Sequence, residues 1–214
     1  MFKDRFEAGK KLAEKLKPLI DEGKLVDPVV LALPRGGVAV GYEIAKELNI
    51  PLDILMVKKI PSPTNPELAI GSVSENGMVF VNKDLIESMD IDEQYIQEVG
   101  IEKIQEMARE RQSLDIDSEP VEGKDVILVD DGIATGATMH LAAQSIVREL
   151  PRSITIASPV APNDEKILKM IKGVAHHTEI LHTPDMFMSV GRWYEDFHQL
   201  SLNEVKKMLK DLKG

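Results

Sequence analysis

The sequence predicts an α/β fold, with a mostly parallel central sheet flanked by helices, a flexible hairpin and loop flap, and a small hood from terminal segments. Three observations carry that expectation. Four short aliphatic runs, rich in β-branched residues and with little polar alternation, read as strands buried on both faces. Segments of helical period separate them, and alternation of strand with helix is the pattern of a parallel sheet. No repeat, low-complexity tract or linker divides the 214 residues, so one domain is expected over 1–214, with a core at about 25–160 and a hood from about 1–24 and 161–214.

The elements follow in chain order. A first helix runs through Phe6, Leu12, Ala13, Leu16 and Leu19. The first strand, Val29 to Leu33, enters Leu33-Pro-Arg-Gly-Gly-Val38, which opens a helix striped by Val38, Gly41, Tyr42, Ala45 and Leu48. A second strand, Asp53 to Val57, ends at Lys58 and Lys59. Ile60-Pro-Ser-Pro-Thr-Asn-Pro66 cannot donate a full set of backbone hydrogen bonds and reads as a loop. Ala69 to Val73 and Met78 to Val81 flank an Asn-Gly turn as a hairpin. A long helix from Asp92 to Gln112 turns Ile96, Val99, Ile104 and Met107 inward and Glu102, Glu106 and Arg109 outward. Val126 to Val129 and Ile154 to Ala157 are the remaining strands, with a helix striped by Leu141, Ala142, Ile146 and Leu150 between them. The last helix passes through Leu202, Val205, Met208, Leu209 and Leu212, opened by the capping-box pair Ser201 and Glu204.

Composition narrows the chemistry. With no cysteine there are no disulfides, thiolate metal sites or cysteine nucleophiles, as suits a reducing cytoplasm. The N-terminus lacks the apolar stretch of a secretory signal and no run is long enough to span a bilayer, so a cytoplasmic protein without a membrane partner is expected. A net charge of -10 opposes non-specific binding of nucleic acid. His176 and His177, with Glu179 and no spaced third ligand, read as structural rather than metal-binding.

The segment with most chemical content is Ile127-Leu-Val-Asp-Asp-Gly-Ile-Ala-Thr-Gly-Ala-Thr138. It places Asp130 and Asp131 at a strand's carboxyl end, where open α/β sheets bind ligands. Ala134, Thr135, Gly136, Ala137 and Thr138 then form a small-residue turn whose successive N–H groups and two hydroxyls can cradle one phosphate at a helix N-terminus. The lysine of a nucleotide P-loop is absent. Paired carboxylates repel bare phosphate but accept hydrogen bonds from ribose hydroxyls, with a divalent cation nearby, so a sugar phosphate satisfies both halves. The plain alternative is a turn after a buried strand with threonine helix caps.

At these residues the chain resembles the type I phosphoribosyltransferases. The resemblance implies that Asp130 and Asp131 hold the ribose hydroxyls of 5-phosphoribosyl-1-pyrophosphate, that residues 134–138 hold its 5′-phosphate, and that Mg²⁺ is the cofactor. It makes Leu33-Pro-Arg-Gly-Gly-Val38 the pyrophosphate loop, with Arg35, Gly36 and Gly37 facing the anion; members often carry a non-proline cis peptide there. Lys58 and Lys59 match a basic pair beside a loop that closes over pyrophosphate, against the plain reading of solvated strand-end lysines. Asp130, Asp131, Lys59 and Arg35 are thus the catalytic candidates. Ala134 stands where hypoxanthine-guanine members carry an acidic base, so the loop looks more like that of adenine and orotate members. Trp193 and Tyr194 are either a hood that stacks on an acceptor ring or an anchor for the terminal helix. Pro-Arg-Gly-Gly, Asn65-Pro-Glu-Leu-Ala-Ile-Gly71 and the tail Val190-Gly-Arg-Trp-Tyr-Glu-Asp-Phe197 resemble a branch without an assigned acceptor. The expected activity is transfer of the phosphoribosyl group to a nitrogen acceptor in nucleotide salvage or synthesis, by a homodimer; the alternative is a non-catalytic regulator that senses the same donor.

Overall fold

The computed structural model describes residues 1–212, in the order α1 (Arg5–Asp21), β1 (Pro28–Ala32), α2 (Gly36–Leu48), β2 (Leu52–Ile54), β3 (Val57–Pro61), β4 (Ala69–Ser74), β5 (Val79–Val81), α3 (Lys83–Ser88), α4 (Glu93–Leu114), β6 (Asp125–Val129), α5 (Ala137–Val147), β7 (Ser153–Val160), α6 (Glu165–Lys172), β8 (His177–His182) and α7 (Leu202–Asp211). A 3-10 turn at Val190–Trp193 precedes the last helix.

The aliphatic runs form a five-stranded parallel sheet in the order β2-β1-β6-β7-β8. Every residue of β1 and β6 is buried, because helices cover both faces. The pleat sorts them. Val30, Ala32, Ile127 and Val129 join the cluster containing Leu12 and Leu16 of α1, Ile44 of α2, Met107 of α4 and Leu209 of α7. Val29, Leu31, Val126 and Leu128 join Met139, Ala142 and Ile146 of α5 and Ile171 of α6. At roughly 1.5–3 kcal/mol for each large aliphatic side chain buried, these two layers are the main stabilising term. The parallel register pairs Ala32 with Val129 and Val129 with Ala157, so β1, β6 and β7 deliver their following loops to one edge of the sheet.

The second sheet is antiparallel, β3-β4-β5, and packs under α4. Here the structure departs from the sequence reading. The strand expected over Asp53 to Val57 breaks after Ile54, and the chain re-enters as β3, which includes Ile60 and Pro61 of the expected loop. The register shifts between Ile60 and Pro61, so the proline sits where no ladder donor is required. The sequence reading did not expect helices α3 and α6, and β8 begins at His177, just past the Gly173-Val-Ala175 that reads as a strand start. β8 extends the main sheet to His182, inside the segment expected to be hood, and α1 packs along α2 as a layer of the core rather than an appendage. The terminal segments do meet: the Phe2 N–H donates to the Trp193 carbonyl (2.7 Å), and the Glu195 N–H to that of Phe2 (2.8 Å).

Candidate active site

Two helix N-termini open at the carboxyl edge of the sheet, and both lack what the other helices have. Side chains cap α1 (Asp4), α3 (Asn82), α4 (Asp92), α6 (Asp164) and α7 (Ser201). No side chain caps α2 or α5, which begin at the Pro-Arg-Gly-Gly and Thr-Gly-Ala-Thr turns. Each bare N-terminus presents the positive end of a helix dipole, but at α2 the Gly37 N–H donates to the Leu33 carbonyl (3.1 Å) and the Val38 N–H to the Arg35 carbonyl (3.2 Å), so of these turn amides that of Gly36 stays open.

At α5 the geometry is that of an open cradle. Ala134 and Thr135 are exposed, and Gly136 has φ 77°, a left-handed conformation that favours glycine. A Cβ there would also lie 2.6 Å from Met170 Cε. The His140 N–H returns to the Gly136 carbonyl (2.8 Å), while the N–H groups of Thr135, Gly136, Thr138 and Met139 have no partner among the described residues. The only approach to a threonine cap is a 3.5 Å contact from the Ala137 N–H to Thr135 Oγ1. That disfavours the plain reading of these threonines as caps.

Asp130 and Asp131 stand beside the cradle, both partly buried. Asp130 Oδ1 accepts the Asp131 N–H (2.8 Å), and Asp131 Oδ2 accepts Arg5 Nε (2.7 Å). The two carboxyls also lie close enough to share a hydrogen bond with each other. Burial raises both carboxyls above the usual range. Asp130 goes further, because the neighbouring Asp131 charge adds to its burial, whereas Arg5 offsets part of the burial effect on Asp131.

The residues of the Pro-Arg-Gly-Gly turn close the other side. Gly37 packs on the end of β6, where a Cβ would meet the Val129 carbonyl at 2.8 Å. Gly36 faces Asp131 directly, with room for no side chain: a Cβ would lie 1.8 Å from Oδ2. The Pro34–Arg35 peptide is cis. Arg35 is exposed and donates from Nη1 to the Leu200 carbonyl (3.0 Å).

Other expected residues are placed differently. Lys58 donates to Glu106 (3.2 Å) and Glu110 (2.6 Å), so its charge is neutralised by α4. Lys59 alternates to the opposite face of β3, exposed and with no ion pair among the described residues. The loop after them is tied to itself, Ser62 N–H to the Leu68 carbonyl (2.8 Å), and to α4 by the Tyr95 hydroxyl on the Pro61 carbonyl (3.0 Å). Tyr194 is an anchor rather than an acceptor platform. Its buried ring stacks on Phe197 (5.1 Å) and its hydroxyl donates to the Asp131 carbonyl (2.5 Å). Trp193 stacks on His182 at 5.7 Å. His176 holds β7, its Nδ1 accepting the Ile154 N–H.

Arg5 was not foreseen. It is 7% exposed, its Nη1 donates to the His198 carbonyl (2.9 Å), and its guanidinium lies 3.9 Å from the Phe197 ring centroid. One arginine in the first turn of an amphipathic helix carries no sequence signal for a contact 126 residues away. Among the described residues no three or more His, Asp or Glu side chains could by themselves hold a metal ion, and no helix is long and apolar enough to cross a membrane.

An acidic pair and a bare helix N-terminus thus stand together at the edge of a parallel sheet. The family model described as "Phosphoribosyl transferase domain" matches residues 2–174, and the chain belongs to that family. It is similar to "Putative phosphoribosyl transferase Rv0571c" of Mycobacterium tuberculosis H37Rv, 39% identical over 211 residues, which cover 98% of this chain and 46% of the relative. The same figures hold for MT0597 of strain CDC 1551, so the chain spans about half the length of the curated relatives it matches. Among solved structures, TT1426 from Thermus thermophilus is 35% identical, with 100% of both chains covered and a TM-score of 0.82.

Proposed function

We propose that this chain binds 5-phosphoribosyl-1-pyrophosphate and transfers its phosphoribosyl group to a nitrogen acceptor, releasing pyrophosphate. The observation that carries the reading is the selective absence of side-chain caps on α2 and α5, whose open N-termini flank the Asp130–Asp131 pair. The 5′-phosphate sits on the 135–139 amides and the Thr138 hydroxyl, and the carboxyls of Asp130 and Asp131 accept the ribose hydroxyls in place of their contact with each other. The Gly36 amide and Arg35 receive the pyrophosphate, while Gly37, whose N–H is held by the Leu33 carbonyl, lets the turn pack on β6; Lys59 is the remaining basic candidate, and Lys58 is the weaker one, being paired with α4.

In the transfer the C1–O bond to pyrophosphate breaks and its electron pair stays on that oxygen. The acceptor nitrogen's lone pair forms the new C1–N bond, and its proton leaves to water or to the departing pyrophosphate. Carboxylates held at the sugar favour the partial positive charge at C1. The donor set fits Mg²⁺, a hard cation that uses one or two carboxylates together with substrate oxygens and waters; Asp130 and Asp131 would hold it, and it would neutralise the leaving group.

Isothermal titration with the donor and Mg²⁺ tests binding, and pyrophosphate release against a panel of bases tests transfer. Asp130→Asn with Asp131→Asn should abolish release in a folded protein; unchanged release rejects the assignment. The second reading, a non-catalytic sensor of the same donor, is favoured by Ala134 in place of an acidic base and by the capture of Lys58. It predicts donor binding with no release for any acceptor.

A further inference from the structure

The Arg5–Asp131 ion pair lies where the two halves of the proposed donor site meet. On one side Arg5 Nε holds the acid assigned to ribose; on the other, a Cβ on Gly36 would stand 3.0 Å from that Nε and 1.8 Å from Asp131 Oδ2. The pair therefore touches the start of α2, where no side chain caps the helix and the Gly36 N–H is open. A guanidinium has five N–H donors in a rigid fork. Nε goes to Asp131 and Nη1 to the His198 carbonyl, but Nη2 has no partner among the described residues. Nor is it sealed from solvent: the buried polar side-chain atoms without partners are Glu43 Oε2 and Thr155 Oγ1.

Resting on the donor reading above, we propose that Arg5 contacts the substrate, its free Nη2 gripping the pyrophosphate oxygens while Nε keeps Asp131 in place. As the C1–O bond breaks and its electron pair moves to pyrophosphate, this fork receives the developing charge together with the Gly36 amide. The tail makes the arrangement possible. The Phe197 ring backs the guanidinium at 3.9 Å, and the carbonyls of His198 and Leu200 accept from Arg5 and Arg35 respectively. One short strap beyond the family-matched residues 2–174 thus orients both guanidinium groups of the site.

The alternative is that Arg5 only holds Asp131, and the two roles separate by ligand. Titrations with Mg²⁺ use three probes: 5-phosphoribosyl-1-pyrophosphate, inorganic pyrophosphate and ribose 5-phosphate. Arg5→Lys keeps a cation for Asp131 but loses the fork. It should weaken the first two probes by about 10- to 100-fold and ribose 5-phosphate by no more than about threefold. Phe197→Leu, altering a partly exposed ring, should show the same ranking with a smaller loss and decides the matter if Arg5→Lys does not fold. Equal losses for all three probes, or none, overturn the role for Arg5. Failure of the unaltered protein to bind the full donor removes the underlying reading and this inference with it.

Discussion

Replacing Gly36 by alanine adds a single carbon at the most crowded point of the site. Its Cβ would stand 1.8 Å from Asp131 Oδ2, 2.5 Å from Cγ and 3.0 Å from Arg5 Nε, where real Cβ atoms essentially never come within 3.0 Å. The carboxylate must retreat by more than an ångström, and its 2.7 Å hydrogen bond to Arg5 breaks with it. Overpacking plus the separation of a largely buried ion pair should cost about 2–4 kcal/mol. For a chain of this size that lowers the melting temperature by about 4–16 °C. Donor affinity should fall at least about tenfold, since the displaced acid is the one assigned to ribose. Differential scanning fluorimetry and isothermal titration read the two effects. Gly100→Ala is the control: a Cβ in the middle of α4 meets nothing within 4 Å. Helix propensity should then raise stability by about 0.5–1 kcal/mol. A Gly36→Ala protein with unaltered melting and donor binding refutes the account of Gly36, Asp131 and Arg5 as one packed unit.

Two further outcomes follow from the buried acids. Burial beside a like charge raises the carboxyl of Asp130, so its ionisation opposes folding and removing the charge should help the fold. Asp130→Asn, which can still accept the Asp131 N–H, should melt higher than the unaltered protein while losing donor binding in titration; a lower melting temperature contradicts this. Asp125 shifts the other way: burial would raise it, but hydrogen bonds from Arg152, Ser153 and the Val26 N–H outweigh burial and lower it. A depressed carboxyl contributes stability above its unfolded pKa, about 3.9, and loses it as pH falls through the folded value. In Asp125→Asn the melting temperature should therefore change less steeply with pH below about 4 than in the unaltered protein, and an equal slope counts against the assignment.

How far the sequence could be read depended on whether a residue's role is expressed locally. Val29 to Leu33 and Val126 to Val129 announce strands because burial on both faces removes polar alternation, and the observed β1 and β6 differ by a residue at most. Ser201 and Glu204 announce the start of α7, since the capping box is a contact between near neighbours, and it forms. β8 was only half legible: Gly173-Val-Ala175 reads as a strand start, but the strand runs from His177 to His182, half-exposed at the sheet edge, where Ile180 and Leu181 are its apolar residues among polar ones. Lys58 offered two readings because a basic strand end looks alike whether it meets a ligand or, as here, Glu106 and Glu110 across the gap to α4. The acidic pair and the small-residue turn were legible as a motif. Their partner Arg5 was not, because the sheet, not the local sequence, carries α1 to β6.

The two uncapped helices set how an anion must approach. At a net charge of -10 the molecule's far field repels a polyphosphate, while the partial positive charges at the starts of α2 and α5 extend only about one helical turn. Capture is therefore a short-range event. Added salt, with a screening length of about 8 Å at physiological strength, damps the repulsion felt in transit more than the pull felt on arrival, so modest ionic strength should speed association rather than slow it.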